Sequence, residues 1–258
     1  MTRTRPTKRQ IEEVVQDLAS VAEPLGSEMQ AYFAYNRGRY VALAGSIADA
    51  LALLNDAQPS HPPRLLDIGP GYQTIMFRRL WPDLQIDTLG FPDDKFPPAA
   101  NEHRAVFDLN DASDPARWPE LPYSYDLVTY CEVVEHLYTS PIHSLAFLRT
   151  LLAPHGYMLV TTPNGIAMHR RLRLLLGHNP QELIREDLSN PGHYREYSRQ
   201  ELIDLAKRAG LSPVFTQMGH YTTTGSVSSR IFGALTPVLS RDLRKDMTIV
   251  FRRDETPR

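Results

Sequence analysis

Residues 64–81, RLLDIGPGYQTIMFRRLW, start as a short apolar run, break at Asp-Ile-Gly-Pro-Gly, and resume with apolar residues at helical spacing. Strand, glycine turn and helix in that order form the opening unit of a parallel α/β sheet, whose ligands sit beyond the carboxyl ends of the strands. Gly69 and Gly71 supply a positive backbone angle and room for a ligand to approach the main chain, although many plain turns also hold two glycines. Asp67 narrows the reading. A dinucleotide brings a pyrophosphate to the helix N-terminus and uses a third glycine where this chain has Thr74. A carboxylate at the strand tip would repel that pyrophosphate by about 1 to 4 kcal/mol for charges about 4 Å apart in a wet to intermediate dielectric. The same carboxylate would attract a cation.

Outward from this stretch, the 258 residues are 42% hydrophobic and 22% charged, which suits a soluble enzyme with one large core. The formal net charge of -2 provides no global field to gather nucleic acid or an anionic membrane. The expected partner is therefore a small molecule recognised locally. Cys131 is the single cysteine and cannot close an internal disulfide, and the first thirty residues hold no apolar run of the secretory kind; both point to a cytoplasmic protein. The longest apolar tract, residues 41–55, is interrupted by Asp49 and falls short of the roughly 20 residues that span a bilayer. No membrane segment is expected.

Apolar residues recur at helical intervals from Ile11 to Ala22 and from Arg39 to Asn55, giving two N-terminal helices bounded by the turn-prone QPSHPP at 58–63. Strands are predicted at 64–68, 84–89, 104–107, 125–130, 157–162, 212–218 and 246–251, with helices at 73–80, 142–152 and 199–209 between them. This alternation predicts a doubly wound, mostly parallel α/β sheet whose last two strands pair antiparallel. Residues 1–60 read as a helical cap and 61–258 as the sheet domain. The connections 164–195 and 219–245 are long enough to be lids or binding loops.

The stretch LLDIGPG, with Asp67, resembles motif I of the class I S-adenosylmethionine-dependent methyltransferases, and further segments match that family in order. RAVFDLN (104–110) resembles its third strand, LPYSYDLVTYCEVVEHL (121–137) its fourth strand and turn, HGYMLVTTPNG (155–165) its fifth strand, and HYREYSRQELIDLAKRAGL (193–211) the helix before its sixth. The resemblance spans about 64–211 and implies a Rossmann-like sheet of seven strands with the last one antiparallel. It also implies S-adenosylmethionine as cofactor, a ligand without phosphate that carries an ammonium and a sulfonium and so suits Asp67. By the same resemblance Asp67, Gly69, Gly71, Asp108, Leu109 and Glu132 would bind the cofactor, with Asp108 meeting the adenine amino group. Two positions depart from the pattern. The third glycine falls on Gln73, and the acid that grips the ribose aligns with Gly90; Asp87, three positions earlier, should face the other side of the strand, while Asp93 and Asp94 lie close after the turn.

Methyl transfer to oxygen needs alignment and removal of a proton, by a general base or through a metal that lowers the hydroxyl pKa. Glu132, Glu135 and His136 follow the fourth strand; on a continuing helix, residues three and four apart would share a face. His193 returns to the same rim. His136 and His193 are the candidate general bases, and Glu132, Glu135, His136 and His193 the candidate ligands of a divalent ion such as Mg²⁺, Mn²⁺ or Zn²⁺. This set resembles that of metal-assisted O-methyltransferases of ubiquinone biosynthesis and of small-RNA 3′-end methylation. Acids favoured at a helix start explain the same residues without an ion. His169, Arg170, Arg171 and Arg173 read either as a clamp for a carboxylate or phosphate or as a solvated helix face, the second being preferred. The function expected is O-methylation of a small-molecule or sugar hydroxyl; a nicotinamide-dependent oxidoreductase and a non-catalytic binding domain are the alternatives.

Overall fold

Leu65, Leu66 and Ile68 are each at most 1% exposed and flank the fully buried Asp67, so the strand that carries them is covered on both faces, as a central parallel strand must be. A computed structural model describes residues 5–57, 61–92, 94–187, 190–222 and 227–255. Its helices and strands run α1 (Lys8–Ala22), α2 (Ser27–Ala57), β1 (Arg64–Ile68), α3 (Tyr72–Leu80), β2 (Gln85–Gly90), β3 (Arg104–Val106), β4 (Tyr125–Cys131) and α4 (Pro141–Leu151). They continue with β5 (Leu152–Pro163), α5 (Met168–Leu175), α6 (Arg199–Arg208), β6 (Leu211–Gly219), α7 (Val227–Leu235) and β7 (Asp246–Arg253).

The seven strands form one sheet in the order β3-β2-β1-β4-β5-β7-β6. β1 pairs parallel with β2 and β4, and β7 runs antiparallel to both β5 and β6. Between β1 and β4 the strand order reverses direction, which opens a crevice at the carboxyl ends of those two strands. This is the doubly wound, Rossmann-like arrangement of seven strands that the pattern predicts.

The two-residue period of the strands divides the interior into two cores. Leu66, Ile68, Val128 and Tyr130 face α4 and α6, while Leu65, Leu127, Leu159 and Val250 face α1, α2 and α3. The N-terminal helices thus share a core with the sheet. α1 begins on a capping box made by Thr7 and Gln10, and α6 on one made by Ser198 and Glu201, each satisfying helix-end donors that water would otherwise have to meet. An aromatic group of Phe33 and Tyr40 from α2, Tyr72 from α3 and Phe96 joins these layers next to the crevice. Both long connections contain a helix, α5 and α7, where the pattern predicts loops. No described helix is long and apolar enough to cross a membrane.

On the other face Phe147 of α4 is fully buried, with its ring centroid 5.0 Å from that of Phe107 and 5.3 Å from that of Trp118. Truncating such a ring leaves a cavity that rigid neighbours cannot close. We expect Phe147→Ala to lower the unfolding free energy by about 3 to 5 kcal/mol, read from the urea midpoint at unchanged slope.

Candidate active site

The turn after β1 is built from beneath. Gly69 takes φ +70, a conformation that side chains with a Cβ rarely adopt. The N–H of Gly71 donates to Thr74 Oγ1 at 2.9 Å, and that hydroxyl donates to Asp67 Oδ2 at 2.6 Å. Thr129 Oγ1, from β4, donates to Asp67 Oδ1 at 2.7 Å. Asp67 is therefore enclosed, with both oxygens engaged, where a carboxylate at the pocket edge is expected from the sequence. Burial pushes its pKa up to about 7, against the opposing pull of the two threonine hydroxyls. Its influence on a ligand passes through the turn it holds. Gln73, in the place of the third glycine, closes the other side of the turn by donating from Nε2 to the carbonyl of Gly69 at 2.7 Å.

Above this turn lies a cavity of about 650 Å³ at the crevice between β1 and β4. Its floor is the Gly69–Gln73 turn, and α2 supplies one wall through Tyr32, Arg39 and Tyr40. Phe91, Lys95 and Phe96 follow β2, Cys131, Glu132 and Val133 lie at the end of β4, and Asp187 and Asn190 reach in from the connection after β5. Glu132 sits at φ +55, an uncommon conformation for a residue with a side chain, held by its own N–H bond to the Thr161 carbonyl at 2.8 Å. Its carboxylate accepts from Thr161 Oγ1 at 2.9 Å and meets Arg39 Nη1 at 2.9 Å, a pair with only 12% and 17% of its side chains exposed.

Gly90 stands where the resemblance places the ribose acid, and it packs closely on the glycine turn: a Cβ there would lie 3.2 Å from Pro70 Cδ and 3.5 Å from Gly69 Cα. Asp87 is no substitute, since it faces away and accepts from Tyr125 Oη at 2.8 Å and the N–H of His103 at 2.7 Å. Asp94 is exposed, and Asp93 lies outside the described residues. Asp108 turns its Oδ1 to the N–H and Nδ2 of Asn110, capping the short 3₁₀ turn at Leu109–Ser113, and Leu109 is buried; neither lines the cavity.

Glu132 and His136 do not converge, because a 3₁₀ turn, Val134–His136, follows the unusual backbone of Glu132 where helix is expected. The residues that meet are Glu135, His136 and His193, each offering a ligand atom within 4.8 Å of the others; Glu132 stands apart with Arg39. The two imidazole centroids are 4.7 Å apart. His136 Nδ1 lies 2.9 Å from the carbonyl oxygen of Gly192, which only accepts, so Nδ1 carries the proton and Nε2 the lone pair. His193 Nδ1 lies 2.8 Å from Glu196 Oε1 and follows the same logic. Glu135 is fully buried; its Oε2 accepts from Thr162 Oγ1 at 2.9 Å, while its Oε1 has no partner. Burial raises the pKa of Glu135 well above the usual carboxylate range, and burial together with His193 lowers that of His136.

Sequence reasoning did not find Arg39 or Glu196 as site residues. The cation in the apolar stripe of α2 was the available signal for Arg39; its partner on β4 is too distant in sequence to read. Tyr221 lines a much smaller recess beside Arg39 with Asp246. Tyr138 and Tyr194 pack edge to face at 5.8 Å, and Tyr197 is buried in the core.

A family model described as a methyltransferase domain matches residues 35–215. Among solved structures, the CurJ carbon methyltransferase is 16% identical over 95% of this chain and 68% of its own, with a TM-score of 0.58. The magnesium protoporphyrin IX methyltransferase of Synechocystis, solved with SAH bound, is 13% identical over 84% and 86% of the two chains, with a TM-score of 0.50. These likenesses establish the fold. No curated protein sequence matches the chain.

Asp67 gives a stability test whose sign is fixed. Its folded pKa of about 7 lies above the ordinary 3.8, so the folded state holds the proton more tightly. Its contribution is whole below the ordinary value and is lost as pH rises through about 7. We expect Asp67→Asn, measured by urea unfolding, to gain on the wild type between pH 5 and pH 8, by no more than about 1.4 kcal/mol per pH unit.

Proposed function

We propose, from the premise that this chain belongs to the S-adenosylmethionine-dependent methyltransferase family, that it methylates a hydroxyl group on a small molecule or sugar. The observation that carries this is the junction at the end of β4. A cavity of about 650 Å³ lined by Glu132 lies on one side, and on the other Glu135, His136 and His193 come together.

The cavity volume falls within the roughly 300 to 1,000 Å³ of small-ligand sites, and its chemistry fits the cofactor. Glu28 and Glu132 bring carboxylates for cationic groups, Arg39 and Lys95 bring cations for a carboxylate, and the Gly69–Gly71 main chain is open to close approach. When bound, the cofactor supplies a methyl group on a positively charged sulfur. The chain's residues then hold the acceptor in line, exclude water through the aromatic wall of Tyr32, Phe91 and Phe96, and take the hydroxyl proton. His136 and His193 are the bases, since each is fixed through Nδ1 and presents the lone pair of Nε2.

A second reading is favoured by the orphaned Glu135 Oε1. A buried carboxylate oxygen without a partner, beside two imidazoles anchored through their other nitrogens, is a donor set for a divalent cation. Glu135, His136 and His193 would hold the ion, which would lower the pKa of the acceptor hydroxyl.

Calorimetry should show S-adenosylmethionine and its demethylated product binding at micromolar level and NAD not binding, with Glu132→Ala weakening the first two at least tenfold; the reverse ranking refutes the assignment. With a hydroxyl acceptor in hand, His136→Ala should lower kcat by a factor of about 10² to 10⁴. Loss of activity under EDTA, restored by Mg²⁺ or Mn²⁺ in the wild type but not in Glu135→Ala, would select the ion-assisted route. Indifference to EDTA would select the histidine base alone.

A further inference from the structure

Every residue from Arg171 to Asn179 is exposed, although this run contains most of the amphipathic helix α5. Met168, Leu172 and Leu175 fall four and three residues apart on one face of α5, and Leu176 follows at its end; Leu172 is 51%, Leu175 82% and Leu176 74% exposed. A face of this kind is ordinarily covered. Leu183 and Ile184 extend the apolar surface along the same connection at 88% and 58% exposure. α7 packs alongside, with Phe232 5.6 Å from the His169 ring, and adds Ile231 at 57%, with Val238 three residues past its end at 81%.

On α5 and α7 themselves the charges have one sign: the two helices contain no Asp or Glu but include Arg170, Arg171, Arg173 and Arg230, in a chain whose formal net charge is -2. Glu182 and Glu186 flank Leu183 and Ile184 beyond α5, and Asp242 follows Arg241, its pKa lowered by Arg199 first and also by Arg171. Arg170 is neutralised by Glu196. Arg171 and Arg173 donate to the carbonyl oxygens of Ile166 and Asn179, bonds that orient the guanidinium groups. An isologous contact between two copies would press the arginine-bearing helices against themselves, so the charge disfavours self-association.

We infer that α5 and the adjoining α7 form a docking surface for the interface of an anionic lipid bilayer, with the leucines entering the headgroup boundary and Arg171 and Arg173 meeting lipid phosphates. Neither helix spans the bilayer; they lie on it, as amphipathic interfacial helices do. The inference goes beyond the methyl transfer proposed above and does not depend on it. The sequence expectation of no membrane partner rests on the net charge, which averages over the arginines of α5 and α7.

The test is co-sedimentation of the full chain with large vesicles of phosphatidylglycerol mixed with phosphatidylcholine, or of phosphatidylcholine alone. We expect pelleting with the first at least tenfold above the second, declining as salt is raised to 0.5 M. Arg171→Gln/Arg173→Gln should weaken binding by about fivefold per arginine removed. Leu172→Ser/Leu175→Ser/Leu176→Ser should abolish it while leaving the thermal midpoint unchanged, because all three side chains are already exposed. A wild type that stays in the supernatant with both vesicle types overturns the inference, as does equal, salt-independent binding to both. A dimer by light scattering that the leucine variant dissociates, with no vesicle binding, assigns the face to a second copy and overturns it as well.

Discussion

The carboxyl of Asp67, locked between two threonine hydroxyls, is the joint on which the rest of the site depends. In the pairing of β1 with β4, Asp67 stands opposite Thr129, so the bond across the strands follows directly from the register. Through Thr74 the same carboxyl reaches the first turn of α3 and, one bond further, the N–H of Gly71. One side chain thus fixes two strands, a helix start and a glycine turn. Hydrogen bonds to an ionised group contribute about 1.5 to 3 kcal/mol each, yet removing a carboxylate from water costs several. The upward shift of its pKa shows that burial outweighs the bonds. Asp67 acts as a connector between elements, and its charge is secondary.

If Asp67 does not present its charge, the sign of the cavity must be set elsewhere. Glu132 takes that position, one residue past β4, and pays for it with a backbone angle that residues bearing side chains seldom adopt. That angle is maintained because both its N–H and its carboxylate are tied to Thr161 of β5. Arg39 balances the acid from α2, which makes an N-terminal helix part of the site. The charges that line the cavity are therefore mixed, with Glu132 and Arg39 paired at its edge.

The sheet was legible because each strand is short, apolar and bounded by turn residues, so the two-residue period and the prolines mark it without tertiary knowledge. The direction of Asp67 was not, because a period of two assigns a face but not whether hydroxyls from α3 and β4 will close over that face. The separation of Glu132 from His136 was hidden for a local reason: a left-handed residue followed by a 3₁₀ turn rotates the side chains away from helical spacing. Asp108 was assigned to the adenine by resemblance; in the structure its Oδ1 accepts from the N–H and Nδ2 of Asn110, a local bond that the sequence spacing alone did not announce. α5 was legible as a helix face from the spacing of its arginines and leucines, but that its leucines stay uncovered depends on packing the sequence does not show.

The connection after β5 contributes to three surfaces at once, and their geometry is interdependent. Asp187 and Asn190 line the cavity, Gly192 and His193 complete the histidine pair, and the stretch from Arg171 to Asn179 is exposed. Arg170, on α5, pairs with buried Glu196, and the same Glu196 Oε1 accepts from His193 Nδ1. The exposed helix and the His193 ring therefore share a single buried carboxylate oxygen. Glu196 Oε2 has no partner, so nothing else among the described residues fixes that carboxylate's second oxygen. A displacement of α5 must shift either the arginine or the carboxylate, and in both cases the bond that sets the His193 tautomer changes with it. The sheet supplies rigid strand ends, and this one connection sets how the His193 ring is held.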